Sequence, residues 1–334
     1  MAGMTFSEGS GVGNSVFGKS QAAIRLFIEK KGESFEQESV VKNLFSMQDS
    51  QNFAEKLTGF TAMQGFLPVG ENGAHPIDRL EEDDSKTLEH MTWKNSFSIS
   101  REMVDDSVVS NLKKQPASFV TSYYRTREKF GAALYGGALE GLKKTRFSGV
   151  DFDITSADGR TLFATDHPSK IKGKAQSNQF SDAFSADALA AAETAMQNFR
   201  GTTNEILDVA PNTILIPNDY RLKKEVFAVI GADKDPATAN NGFNYLFGRW
   251  NVIVWPYLNQ YITAGAKPWL LLDTDYSDQY GGAVWYDRVK LEVKSDIDLS
   301  TDANVWRGYA RFIAGFGDWR HAAAGGVTGG TSLI

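Results

Sequence analysis

The chain has 334 residues, no cysteine, a net charge of −6, and 42% hydrophobic and 12% aromatic residues. That length suits two domains or one with large excursions, and the lack of cysteine excludes disulfides, thiolate metal sites and a cysteine nucleophile together. The acidic balance gives no electrostatic reason to hold nucleic acid, and no apolar run reaches the roughly 18 residues that a membrane-spanning helix needs.

Residues 1–55 read as an N-terminal arm. The first 21 are rich in glycine and serine, and short helical patterns then alternate with polar breaks around Phe27, Leu44, Phe45 and Phe53. Within the arm, Gly13-Asn-Ser-Val-Phe-Gly18-Lys19-Ser20 satisfies the phosphate-loop pattern. A working loop needs a buried strand just before it, so that its N–H groups converge on phosphate, and residues 1–12 offer no such apolar run. Trp269–Asp273 could pose as a magnesium-holding strand, but no alternating strand–helix pattern joins the two. A phosphate-loop NTPase resting on Gly13 to Ser20 is the alternative reading. ATP hydrolysis abolished by Lys19→Ala would select it.

Residues 56–104 read as an extended hairpin. Met91, Trp93, Phe97 and Ile99 share one face at a period of two. Phe60–Val69 is the expected partner strand, and Gly70–Ser85 the joining segment, with Glu81, Glu82, Asp83 and Asp84 at an exposed tip. A two-stranded hairpin with so apolar a face is marginal in water. These eight residues are therefore the predicted assembly contacts.

A long helix is predicted from Pro116 to Arg146. Proline is tolerated in a first turn, and Phe119, Tyr123, Phe130, Leu134, Ala138 and Leu142 draw one apolar stripe. Lys143, Lys144 and Arg146 suit the negative end of the helix dipole, and Ser148-Gly149 would end the helix. Gly131, Gly136, Gly137 and Gly141 each cost about 1 kcal/mol in a helix interior, so this spine must depend on close packing.

Further on, Asp151, Asp153 and Asp158 lack the glycine and glutamate of a calcium loop, as do Asp273, Asp275 and Asp278. Asp166-His167 reads as a turn and Lys170–Phe180 as a polar loop. A helix is expected over Ala186–Phe199 with Ser185 as cap, and another after Asn218 through Val229. Thr213–Ile216, Val252–Trp255, Trp269–Leu272, Ala283–Val293 and Asn304–Ala314 read as strands, and 322–334 as a small-residue tail. No catalytic constellation, cofactor or metal site is predicted, and the chain is not expected to be an enzyme.

This order of elements resembles the major capsid proteins of tailed bacteriophages, with their HK97-like α+β fold. More specifically, Leu162-Phe-Ala-Thr-Asp-His167-Pro168 with Asn178, Pro211-Asn-Thr-Ile-Leu-Ile-Pro217, Gly242-Phe-Asn244 and Val252-Ile-Val-Trp-Pro256 resemble the major head subunit family of Mu-like phages. The resemblance implies an extended loop over 56–104, a peripheral domain over 105–210 and 297–334, and an axial domain over 211–296. It also implies self-assembly as hexamers and pentamers into an icosahedral or prolate shell, in a virion built in a bacterial host's cytoplasm. A portal and a decoration protein are further possible partners. Because no scaffolding segment precedes the arm, a separate scaffold protein or none is expected. DNA contact is expected to be weak, through Lys170, Lys172 and Lys174, with no membrane contact. No isopeptide cross-link is predicted at Lys86 or Lys94.

Overall fold

A computed structural model describes residues 5–8, 28–60, 66, 68–71, 74, 75, 77, 82–100, 102, 109–168, 174–201, 204–231, 244–301 and 303–333. Two long antiparallel strands, β11 (Ala283–Asp298) and β12 (Ala303–Phe316), pair from Ala283 opposite Phe316 to Asp298 opposite Ala303. Around them a five-stranded sheet is completed by β1 (Thr5–Glu8) and β2 (Ser46–Asp49), both parallel to β11, and by β5 (Met91–Ile99), antiparallel to β12. Two small hairpins stand apart, β3 (Ala54–Phe60) with β4 (Glu82–Glu89) and β6 (Lys144–Phe147) with β7 (Val150–Asp153).

Helix α3 (Val109–Leu139) lies against the long sheet. Its glycines mark close approaches rather than weakness. A Cβ at Gly136 would fall 2.4 Å from the Cβ of Tyr261, and one at Gly131 would meet Val41 and Trp255. Phe130, fully buried, contacts Trp285 and Phe312 edge-on or tilted.

A second, compact sheet has the order β13 (Ala322–Gly325), β10 (Trp269–Leu272), β8 (Thr213–Pro217), β9 (Asn251–Trp255). The first three are buried throughout, as expected of strands covered on both faces. Helices α4 (Ala186–Gln197), α5 (Tyr220–Ile230) and α6 (Thr274–Tyr280) accompany it, with α5 joining the parallel pair β8 and β9. The helices beginning at 28 and at Val41 are α1 (28–38) and α2 (Val41–Leu44).

Several expectations change. The long helix runs from Val109 to Leu139, with Pro116 inside it. It stops at Gly141, whose φ of +69° lets Leu142 N–H bond Gly137 O and Gly141 N–H bond Ala138 O, both at 3.0 Å; this paired closure is favoured by a left-handed glycine. Ser148 and Gly149, at φ 49° and 85°, instead form the two-residue turn of the β6–β7 hairpin. Lys144 and Arg146 thus stand on the outer face of a strand.

The partner of β5 is β12, two hundred residues onward, and the hairpin is β3 with β4. The run Glu82–Asp84 opens strand β4, and Glu81 lies outside the described residues. The predicted axial span 211–296 ends inside β11, which pairs with β12 throughout, and β13 of the supposed tail sits in the compact sheet. Of the arm, Val41, Leu44 and Phe45 are core residues against α3, and Thr5–Glu8 is an edge strand. Asp219, not Asn218, caps α5, accepting from Arg221 N and Leu222 N at 2.9 Å. Ser185 caps α4 as expected.

Candidate assembly surfaces

Strand β5 alternates as its sequence predicts, but against its own subunit. Trp93 stacks on Phe312 with ring centroids 4.8 Å apart and donates its Nε1–H to the Phe312 carbonyl at 3.2 Å. Phe97 lies parallel to Trp306 at 6.0 Å and tilted to Phe119 at 5.2 Å, and Ile99 is buried. Burial is incomplete. Met91 and Trp93 remain partly open where the β6–β7 hairpin and α3 leave a groove of about 380 Å³ beside β5, and Phe97, farther along the strand, is partly open as well. Trp93, Phe147, Phe152 and Phe312 form its apolar part. Val150 rims it at 40% exposure.

The hairpin is tied down by a buried amine. Lys86 Nζ, on β4, donates to the carbonyls of Asp153 and Thr155 and lies 3.4 Å from Asp153 Oδ1. Burial pushes this ammonium below the usual lysine range despite Asp153. Asp153 is held low: burial raises it, but the Thr155 N–H and the Lys86 charge outweigh that. Lys86 is thus a staple, already committed within its own chain. Beyond it the hairpin carries Phe66 and Ile77, both almost wholly exposed.

The polar clusters in the interior have structural jobs. Arg127 forks onto both oxygens of Asp287, at 2.8 and 3.0 Å, beneath Trp285. Its guanidinium is driven further up: burial opposes the charge, but Tyr123 and Asp287 outweigh it. Ser50, His90 and Glu55 have the composition of a hydrolytic triad without its order. Ser50 Oγ donates to Glu55 Oε1 at 2.6 Å, leaving His90 Nε2 to donate to Ser50 Oγ at 2.8 Å, so the imidazole is not placed to take the serine proton. His167, wholly buried, sits between Asp158 at 2.6 Å and Asn178 at 3.1 Å and stacks on Trp319 at 4.0 Å. Asn178 in turn bonds Leu162 O, Ala322 O and Ala164 N. The predicted polar loop is therefore anchored here, and the Asp166-His167 turn belongs to a knot joining three chain segments.

Gly13 to Ser20 lies outside the described residues. The strand closest before it, β1, belongs to the long sheet, whereas β10, with its would-be magnesium aspartate, belongs to the compact one. Asp273 is spent on capping α6, accepting from Tyr276 N and Ala210 N at 2.8 Å. Among the described residues no group of His, Asp or Glu is arranged to hold a metal ion, and no helix is long and apolar enough to cross a membrane.

Sequence reading missed several exposed aromatics of the compact region, among them Tyr220 and Phe227 on α5 and Tyr280 on α6. The signal was present. Leu222, Val226 and Ile230 mark the inward side of α5, so the aromatics at 220 and 227 fall outside it.

A model of the phage capsid protein family matches residues 84–325. No curated protein sequence matches the chain. Among solved structures, it is similar at 12% identity to the capsid subunit of an empty GTA particle, over 88% of this chain and 90% of that one, with a TM-score of 0.50. It is similar at 13% identity to the bacteriophage JBD30 capsid, over 66% and 91% with a TM-score of 0.48. A Microbacterium phage Oxtober96 chain matches at 13% identity over 86% and 90%, with a TM-score of 0.48. The long β-sheet under its spine helix, the compact second sheet and the protruding hairpin are features of an HK97-like α+β fold, and the chain belongs to the phage capsid protein family.

Proposed function

We propose that this chain is the major head subunit of a tailed phage, of the Mu-like group, and that it closes into a shell of hexamers and pentamers around the genome. The observation that carries this reading is a subunit whose apolar surface is incomplete alone. The groove beside β5 stays open, and Phe66 and Ile77 stand bare on a hairpin fixed at its base by Lys86. A neighbouring copy of the hairpin covers Met91, Trp93 and Phe97, while Ile99, at the end of the same face, is already buried. The acidic run Glu81, Glu82, Asp83 and Asp84 travels with that hairpin into the contact.

The long sheet with α3 is the peripheral region of the subunit and the compact sheet the axial one. Assembly takes place in the cytoplasm of a bacterial host, with a portal and with a separate scaffold protein or none, and the finished shell can take a decoration protein. With a net charge of −6, the subunit contains its DNA rather than gripping it. Negative-stain imaging of the full chain produced in a bacterial host tests the reading. Closed particles of uniform size are expected. A protein that remains monomeric at high concentration, with and without co-expressed partners, would overturn it.

A further inference from the structure

Helix α5 carries an outer face that none of the described residues covers. Tyr220 is 70% and Phe227 51% exposed, and Arg221, Lys224 and Glu225 are exposed between them, Glu225 on the far side of the helix from the two rings. The spacing 220, 224, 227 keeps these groups on one side of the helix. Arg221 Nε donates to the Tyr220 hydroxyl at 2.7 Å, and its guanidinium lies 5.5 Å from the ring centre. The pair is therefore ordered before any partner arrives, which lowers the entropy lost on docking. Exposed tyrosine and arginine are residue types that concentrate binding energy.

The same chain presents a complementary surface on α6, where Asp275, Asp278 and Tyr280 are exposed. Tyr280 is held in place by its ring contact with the buried Tyr276 at 4.6 Å. Helix α5 begins where β8 ends and α6 begins where β10 ends, and β8 and β10 are antiparallel neighbours. The two helices thus leave opposite ends of one sheet. A second copy, displaced along that direction, brings one patch to the other.

We propose that the outer face of α5 docks on α6 of a second copy of this chain, Arg221 and Lys224 meeting Asp275 and Asp278, and the exposed aromatics packing between them. This rests on the shell reading and names a contact within its rings. Two different patches make the contact heterologous, so it repeats head to tail until rotation closes a ring. One face of an 11-residue helix is small beside the roughly 1,200–2,000 Å² of a stable interface. It fixes direction and register while other surfaces supply area.

The absence of cysteine makes a clean test available. Full-length Lys224→Cys, Asp278→Cys and the double variant are assembled, oxidised and run on non-reducing gels, with melting temperature as a check on folding. The double variant is expected to give a ladder of covalent oligomers ending at the ring size, and each single variant none. Mixing the two single variants should give dimers only. Particles from the double variant without a ladder, or a dimer from Lys224→Cys alone, overturn the pairing of α5 with α6 while leaving the shell reading intact. Wild-type protein that forms no particles under any condition overturns the shell reading and this contact with it.

Discussion

The long sheet and the compact sheet treat their aromatic and charged side chains in opposite ways. Around β5, β11 and β12, Trp93, Trp285, Phe130 and Phe312 stack into one cluster and Arg127 is forked onto Asp287. Around β8 and β10 the strands are as dry, yet the flanking helices turn Tyr220, Phe227 and Tyr280 outward. The lesson is that a buried aromatic in either region, Trp285 or Trp269, holds the subunit itself, whereas the outward rings of α5 and α6 contribute little to it. A mutation of a buried ring should therefore show itself in subunit melting, and one of an outward ring, on the proposal above, in particle formation.

The largest break in that contrast is expected from Arg127→Ala, which leaves the Asp287 carboxylate buried without its charge partner, the Trp285 Nε1–H still on Oδ1 at 3.1 Å. Losing one partner of such a pair costs about 3–5 kcal/mol, so calorimetry on unassembled protein should show a collapsed or absent transition. A melting temperature within a degree or two of wild type would show that water reaches Asp287. Trp93→Ala comes next. It removes the ring stacked on Phe312, at a cost near the low end of the roughly 3–5 kcal/mol range for buried aromatics, since one edge is open. Here subunit melting should fall before assembly is even tested, and an unchanged subunit with failed particles would return Trp93 to a purely intersubunit role.

Gly136→Ala sharpens the comparison at the seam between the regions. The added methyl meets Tyr261 and should cost about 1–3 kcal/mol of stability in chemical denaturation. An acid titration addresses His321, whose burial pulls its pKa down to about 4, against about 6.5 in an unfolded chain. Between those values the unfolded chain binds more protons, so the stability that neutral His321 contributes is complete above about pH 6.5. It is lost as the pH falls toward 4. His321→Phe should flatten this part of the melting-temperature profile, and an identical slope would remove His321 from the account. The smallest effect on the subunit is expected from Tyr220→Ala with Phe227→Ala, within about 0.5 kcal/mol as for other surface changes, while light scattering records slower or incomplete assembly. Normal assembly kinetics would mean that these rings are merely solvated.

Local features of the fold were legible in the sequence, and pairings were not. The alternation of Met91, Trp93, Phe97 and Ile99 identified a strand with one apolar face, but nothing local says that its partner is Asn304–Phe312. The glycine pattern of α3 correctly required something to lie close against it, and Val41, Trp255 and Tyr261 are that something. Its end was misplaced because Gly141 and Ser148-Gly149 both carry stop signals. The geometric distinction, a paired closure at the first and a two-residue turn at the second, depends on the strands that follow. In the sequence Lys86 is only a hairpin lysine with no predicted cross-link, since its three oxygen partners come from Asp153 at the end of β7 and Thr155 just beyond it.

Strand β13 has a consequence for the timing of synthesis. Ala322–Gly325 forms one edge of the compact sheet, pairing Leu270 with Ala324, and Phe180 N–H bonds the Ala324 carbonyl. Yet this edge is translated only after both strands of the long sheet. Until then β10 keeps an open side and Asn178 lacks its bond from Nδ2 to the Ala322 carbonyl. The compact sheet is therefore completed only after the strands that pair in the long sheet have been made.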